Sequence, residues 1–312
     1  MDRGDKMRSF PGVYSPHHRW SLQTMPQVQT PISGLTLANG ETLAWGVRTY
    51  VMGIINVTPD SFSGDGLGSD VDAVVAQALR FQEDGADILD MGAESSRPGH
   101  KKISAEEELA RLISALEAVA SQVNLPISVD TYKADVASQA VEAGAVIIND
   151  IWGLKAEPEL AKVAAETGAG LVLMHNQQGT EYRDLLPDLV SGLSASIKMA
   201  LDAGVPRENI IVDPGIGFGK TPDQNLAVLA GLDALKATGC PILVGSSRKS
   251  TLGLLLDLPA DQRVEATAAT VSLAIVGGAD IVRVHDVKEM VRVCRVTDAV
   301  VRGWRPDGWK AS

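Results

Sequence analysis

Cysteine is nearly absent from this chain: Cys240 and Cys294 are the only two in 312 residues, and they lie far apart. That excludes a disulfide-stapled scaffold, and the absence of any Cys-x-x-Cys pair excludes the common thiolate metal spacings. Both are expected as reduced thiols, in the core or at the surface. Aromatic residues make up only 4%. A chain so poor in them, and so rich in Ala, Val, Leu and Gly, suits helices packed on parallel strands better than a sandwich. Positive charge is in deficit, with 28 Lys and Arg against 39 Asp and Glu and a net charge of −11. That argues against a nucleic-acid partner or an anionic membrane surface, although a few clustered arginines can still hold an anionic ligand. Long apolar runs are missing too. The most apolar late stretch, residues 268–278, falls short of the ~20 residues that span a bilayer, and residues 1–30 have charges and prolines but no apolar signal-peptide segment. The expectation is a cytoplasmic protein with no membrane partner.

What is present is a large apolar fraction, 45%, enough for a sizeable core. The length permits two domains, but an α/β barrel fills ~250 residues as one. Residues 1–33 are rich in Pro, Gln, His and Arg without periodicity and read as a disordered tail; residues 34–312 read as one domain. Residues 35–45, with Asn39-Gly40 between alternating positions, predict a hairpin placed to plug the amino end of a barrel. Beyond it, short β-branched runs begin near Val51, Asp87, Ile127, Val146, Gly170, Ile210, Pro241 and Asp280. Helical patterns lie between them, over residues 71–83, 105–121, 133–143, 157–167, 185–203 and 262–276, and several end in Gly, the expected helix stop. Eight β/α units in sequence imply parallel strands with right-handed crossovers, and eight is the number that closes a TIM-like (β/α)8 barrel. A doubly wound open sheet is the second choice, and no Gly-x-Gly-x-x-Gly turn follows the first strand.

Several apolar runs end abruptly in polar groups, at what would be the ligand-binding rim of such a fold. Tyr50-Val51-Met52-Gly53-Ile54-Ile55 passes into Asn56, Ile127-Ser128-Val129 into Asp130, Val146-Ile147-Ile148 into Asn149, and Ile210-Ile211-Val212 into Asp213. The last strand ends in Arg283-Val284-His285-Asp286. In a closed barrel it pairs with the first, so Asn56, Arg283 and His285 would converge. With Arg97 from the loop after the second strand they form a candidate clamp for phosphate or pyrophosphate. The alternative is that Arg283 and His285 only close salt bridges with Asp286 or Asp280. On the opposite sector, Asp130, Asn149, Asp213 and Lys249 would suit a flat heterocycle with donors and acceptors, although a cap or salt bridge explains any one of them alone. The loop Asp213-Pro214-Gly215-Ile216-Gly217-Phe218-Gly219-Lys220-Thr221 lacks the phosphate-loop frame, since Gly215 and Gly219 stand too close. Its glycines suit a tight turn or a close backbone approach. Phe218 and Met174 are candidate walls for a flat ring, or plain core residues.

Taken together, these stretches resemble the dihydropteroate synthase family of the pterin-binding barrel superfamily. The resemblance runs over roughly residues 51–302. It rests on Met52-Gly53-Ile54-Ile55-Asn56-Val57-Thr58-Pro59-Asp60-Ser61-Phe62-Ser63, Glu94-Ser95-Ser96-Arg97-Pro98-Gly99, Ser128-Val129-Asp130-Thr131, Ile148-Asn149-Asp150, the Asp213–Thr221 loop, Ser247-Arg248-Lys249 and Arg283-Val284-His285-Asp286-Val287. It implies a folate-pathway transferase, the target class of sulfonamides, that condenses 6-hydroxymethyl-7,8-dihydropterin pyrophosphate with p-aminobenzoate to give 7,8-dihydropteroate and pyrophosphate. By the family pattern Asp130, Asn149, Asp213 and Lys249 hold the pterin, with Met174 and Phe218 nearby. Asn56, Ser96, Arg97, Arg283 and His285 lie on the pyrophosphate side, Asn56 helps to ligate Mg²⁺, and Phe62, Ser96, Pro98 and Ser247 surround the p-aminobenzoate. Catalysis falls to Asn56, Arg97, Asp130, Lys249, Arg283 and His285, and the assembly implied is a homodimer packed through late helices. Two positions depart from the family pattern: Ser63-Gly64-Asp65-Gly66 replaces the usual Ser-Asp-Gly-Gly, and Ser96 replaces Thr. Two other functions stay open on the residues alone. One is a non-catalytic pterin-binding paralogue; the other is a methyltransferase passing a methyl group from methyltetrahydrofolate to a corrinoid protein.

Overall fold

A computed structural model describes residues 34–37, 40–58, 70–95 and 102–310. The tail expected over residues 1–33 lies outside these, as do residues 59–69 and 96–101. The hairpin is present as two short antiparallel strands, β1 (Leu35–Thr36) and β2 (Thr42–Leu43), with Leu35 opposite Leu43.

Eight parallel strands follow: β3 (Tyr50–Asn56), β4 (Ile88–Gly92), β5 (Ile127–Asp130), β6 (Ile147–Asp150), β7 (Gly170–Met174), β8 (Ile210–Asp213), β9 (Leu243–Val244) and β10 (Ile281–Val284). Their order in the sheet is β8-β7-β6-β5-β4-β3-β10-β9. The first and last strands of the barrel therefore pair, Val51 beside Val282 and Met52 beside Arg283. A parallel bridge between Val212 and Ile242, with the Val212 N–H donating to the Pro241 carbonyl at 3.0 Å, joins the two remaining edges. That closure rules out the open doubly wound sheet. Strand β9 begins after Pro241, which has no N–H to give to a ladder.

The expected helices are α1 (Val71–Glu83), α2 (Ala105–Ala120), α3 (Ala134–Glu142), α4 (Leu160–Thr167), α5 (Leu185–Asp202) and α8 (Val264–Gly277). Three more complete the units: α6 (Pro222–Ala230), α7 (Ser250–Leu256) and α9 (Val287–Val301). The start of α6 has a local cause. The Thr221 hydroxyl accepts from the Gln224 N–H, the Gln224 side chain accepts from the Thr221 N–H, and Pro222 sits at the first helical position. Helix α4 ends on Gly168, in the left-handed conformation at φ +71°.

Strand residues alternate between two cores. Those facing out, such as Val51, Leu89, Val129 and Ile148, pack with buried helix residues such as Phe81, Leu112 and Leu193. Those facing in form an aliphatic layer of Met52, Ile88, Ile147, Val172, Ile211, Leu243 and Ile281, onto which the hairpin side chains Leu35, Leu37, Leu43 and Trp45 pack. The hairpin thus plugs the amino end. On that side Asp298 of α9 is buried and accepts from both the N–H and the hydroxyl of Thr49, at 2.7 and 2.8 Å, while Arg48 pairs with Asp87 at 2.6 Å. These groups line a cavity of about 230 Å³ with Arg295 and Trp304, at the far end from the strand-end residues singled out above. Cys240 and Cys294 are both buried free thiols, as expected. Among the described residues no helix is long and apolar enough to cross a membrane.

Candidate active site

The period of two that builds the aliphatic layer also builds the layer above it. Two residues beyond Ile88, Ile147, Val172, Ile211 and Ile281 stand Asp90, Asn149, Met174, Asp213 and Arg283, and Asp130 lies on the same face of β5 as Ser128. Polar groups of this kind inside a barrel need partners, and most have them. Arg283 donates through Nε to Asp90 at 2.5 Å and through Nη2 to Asp130 at 2.7 Å. Asn149 donates through Nδ2 to the same oxygen of Asp90 at 3.2 Å. Burial holds the Asp130 carboxyl well above the usual carboxylate range, with Asp90 and Glu108 adding to the shift and the Arg283 and Lys249 charges opposing it. Arg283 is half-buried, which works against its charge, yet its two carboxylate partners keep it more basic than a free arginine.

Arg283 departs from expectation in two ways. Arg283 and Asp130 do not stand on opposite sectors, because the guanidinium reaches across the mouth and joins them. Nor does Arg283 pair with Asp280 or Asp286: Asp286 is held by Arg248 through Nε at 3.0 Å, and Asp280 faces Arg302 at 3.6 Å. Asp90 escaped the sequence-based choice of site residues, although a lone charge within Ile88-Leu89-Asp90-Met91 was the available signal.

His285 follows β10, and its Nδ1 lies 3.0 Å from the Ser247 hydroxyl, which also accepts from the His285 N–H at 3.2 Å. The residue expected on the pyrophosphate side and one expected beside p-aminobenzoate are therefore in contact. Asn56 stands half-buried at the end of β3.

The loop after β8 folds around its own ionic groups. Asp213 accepts from the Gly215 N–H at 2.7 Å; burial pushes its carboxyl up to about 6 against the pull of that hydrogen bond and of Lys249 and Lys220. Lys220 is turned inward, not toward a ligand phosphate, and donates to the carbonyls of Gly215 and Phe218 at 3.0 Å each. Burial, aided by the Lys155 and Lys249 charges, lowers its ammonium to about 7, against the opposing Asp213 charge. The Lys249 ammonium lies 4.2 Å from the centre of the Phe218 ring. Its stem crosses Gly217, whose φ of +84° favours glycine and where an added methyl would sit 3.0 Å from Lys249 Cδ. Met174 is buried in β7, facing the same interior.

A second ionic cluster went unnoticed in the sequence. Lys133 donates to Glu94 at 2.5 Å, to Glu108 at 2.6 Å and to the Ile103 carbonyl at 2.8 Å, so one ammonium ties residues on both sides of positions 96–101. Glu108 is fully buried, which raises its pKa against the pull of Lys133. Ser96, Arg97 and Pro98 lie outside the described residues, as does Phe62 with the departure at Gly64-Asp65. Among the described residues no group of three or more His, Cys, Asp or Glu side chains is placed to hold a metal.

Residues 52–285 match the family model of the pterin binding enzymes. The chain belongs to that family. A dihydropteroate synthase of Bacillus subtilis is 51% identical over 259 residues, covering 83% of this chain and 91% of that protein. Among solved structures, a dihydropteroate synthase of Clostridium difficile in the presence of pteroic acid superposes with a TM-score of 0.80 at 46% identity, over 83% of this chain and 98% of that one. A dihydropteroate synthase of Xanthomonas albilineans with 4-aminobenzoic acid gives 0.81 at 40% identity, over 88% and 100%.

Proposed function

We propose that this chain is a dihydropteroate synthase, joining 6-hydroxymethyl-7,8-dihydropterin pyrophosphate to p-aminobenzoate with loss of pyrophosphate. The observation that carries this is the polar inward layer of Asp130, Asn149 and Asp213 at the carboxyl rim, with Lys249 across the Phe218 ring at its edge. Residues 34–312 act as one domain around it.

A pterin is flat and carries an amino group and ring N–H groups, which pair with buried carboxylates. Asp213 and Asp130 accept from it, Asn149 offers an amide, Lys249 donates to a ring oxygen or nitrogen, and Met174 and Phe218 flank the ring. The diphosphate lies toward Asn56, His285 and Arg283, with Ser96 and Arg97; p-aminobenzoate lies toward Ser247, with Phe62, Ser96 and Pro98. The carbon–oxygen bond breaks with its electrons leaving on the diphosphate, and positive charge spreads from the methylene into the pterin. Asp130 and Asp213 lie where that charge develops and stabilise it. The arylamine nitrogen attacks the methylene carbon and sheds a proton, without a strong base. Burial above the sealed layer keeps water from competing for the cation.

Asn56 supplies one amide oxygen, and the described residues add no cage of carboxylates. That donor set fits Mg²⁺, which binds through one or two protein groups and keeps waters and substrate phosphates as its other ligands. When bound, it would neutralise charge on the departing diphosphate.

We also place a homodimer on the late helices. Leu254, Leu255 and Leu256 of α7, Leu273 and Val276 of α8, and Val296 and Val300 of α9 are all exposed, and Thr297 of α9 bonds Ser272 of α8 at 3.3 Å. So much exposed aliphatic surface on adjoining helices supports a second copy as its cover.

The purified chain should release pyrophosphate in a Mg²⁺-dependent manner only when both substrates are present, and should restore growth to a strain lacking the synthase. Binding of pterin diphosphate without product would identify a non-catalytic paralogue. Methyl transfer from methyltetrahydrofolate to a corrinoid protein would replace the assignment outright.

A further inference from the structure

Asp90 shares the inward layer, yet it has no role in the chemistry above. Its side chain is fully buried and one of its oxygens serves two partners, Nε of Arg283 at 2.5 Å and Nδ2 of Asn149 at 3.2 Å. The other oxygen, Oδ1, is buried with no hydrogen-bond partner among the described residues. A buried carboxylate is costly, and the layer below shows that this barrel can fill its interior with aliphatic side chains instead. Something beyond packing is therefore gained from the charge.

An ionised carboxylate can only accept hydrogen bonds, so the end of the Asn149 amide that faces Asp90 must be the NH2. The two-fold choice of an amide disappears, and a ligand meets the carbonyl oxygen and the one remaining N–H in a fixed order. Arg283 is restrained in the same way. Its Nε is on Asp90 and its Nη2 on Asp130, while Nη1 makes no hydrogen bond among the described residues.

We propose that Asp90 is a positioning residue of the pterin site: its carboxylate sets which hydrogen-bonding groups Asn149 presents, and so selects the donor and acceptor pattern of the heterocycle, while it restrains Arg283 beside the diphosphate. This rests on the pterin assignment above. Asp90 itself touches neither substrate. It acts through the two side chains it holds.

The test compares Asp90→Asn with the parent chain in two ways. In the ligand-free proteins, nuclear magnetic resonance follows the Asn149 side-chain amide protons; in the parent one is shifted and protected by the carboxylate, and in Asp90→Asn that signature is lost. In kinetics, kcat/KM for pterin diphosphate falls about 10- to 100-fold, the range for losing a hydrogen bond to a charged group, with most of the change in KM. The KM for p-aminobenzoate stays where it was, a split that mere loosening of the fold would not produce. Unmoved Asn149 protons, an unchanged pterin KM, or an equal rise in both KM values would each overturn the proposal. Should Asp90→Asn fail to fold, the exchange D90N/N149D keeps one carboxylate against one amide with reversed polarity. It should fold and still bind dihydropterin at least about ten-fold more weakly; parental affinity would overturn the proposal. A parent that makes no dihydropteroate would end the functional assignment, while the amide signature would still decide whether Asp90 fixes Asn149.

Discussion

Replacing Gly217 by alanine separates what a loop costs from what it holds. The backbone there has φ +84°, and a Cβ would lie 3.0 Å from Lys249 Cδ and 3.5 Å from its Nζ. Gly168, at the end of α4, has a similar φ of +71° with nothing within 4 Å of an added methyl. Both substitutions carry the left-handed backbone penalty, roughly 1–2 kcal/mol. Only Gly217→Ala also pushes Lys249 off the Phe218 ring, forfeiting a contact of about 0.5–2 kcal/mol. On the scale where 1.4 kcal/mol is ten-fold, that is about 2- to 30-fold in affinity for a ligand that relies on this ammonium. Urea unfolding should show similar destabilisation of the two variants. Titration calorimetry with a dihydropterin should show weaker binding for Gly217→Ala alone. If Gly217→Ala binds as tightly as Gly168→Ala, then Lys249 is not placed by this crossing and the described site is wrong at that point.

Other expectations follow from the same geometry. His175 is buried and held to about 3 by that burial, with Lys220 and Lys155 adding. Below about pH 6.5 the unfolded imidazole takes up a proton that the folded one refuses, so this group costs stability as pH falls toward 3, at up to about 1.4 kcal/mol per pH unit. Asp213, raised in the fold, works in the opposite sense from about pH 6 downward, so the comparison must be between His175→Gln and the parent; an identical decline in their urea midpoints from pH 7 to 4 would refute it. Asp298→Ala should cost about 3–5 kcal/mol, because it leaves Thr49 and Arg302 without their buried partner, yet leave both KM values alone. Arg283→Ala should weaken pterin diphosphate far more than free pterin, and equal losses in calorimetry would remove Arg283 from the diphosphate side. Val300→Asp should shift sedimentation from dimer to monomer; an unchanged profile would move the interface elsewhere.

Much of the barrel was legible because a period of two is local. Once Tyr50–Asn56 and its counterparts were read as strands, the order of units and the rim residues followed, and the pairing of Val51 with Val282 is simply the closure of eight. Asp90 was not legible in that way. Its partner Arg283 lies 193 residues away, and only the register of β10 on β3 and of β3 on β4 brings the two together. The same holds for Lys133, whose position before α3 reads as a helix start while its half-buried ammonium is held between two glutamates. Helix α6 did leave a signal, the Thr221-Pro222-Asp223-Gln224 cap, which the glycine-rich loop beside it overshadowed. Strand order puts Arg283 and Asp130 on opposite sectors because it fixes only where a Cα lies, whereas arginine is long enough to cross the barrel mouth.

The hairpin beneath the barrel has a consequence for traffic. With Leu35, Leu37, Leu43 and Trp45 packed against the interior from below, the polar layer has a floor, and among the described residues its doorway is at the rim. Whatever pairs with Asn149 and Asp213 goes to the bottom of that vestibule, and a second molecule arriving afterwards stands between it and the exit. On the proposed function, entry would be sequential: pterin diphosphate first, p-aminobenzoate second. An excess of p-aminobenzoate stationed at the doorway would obstruct its own reaction.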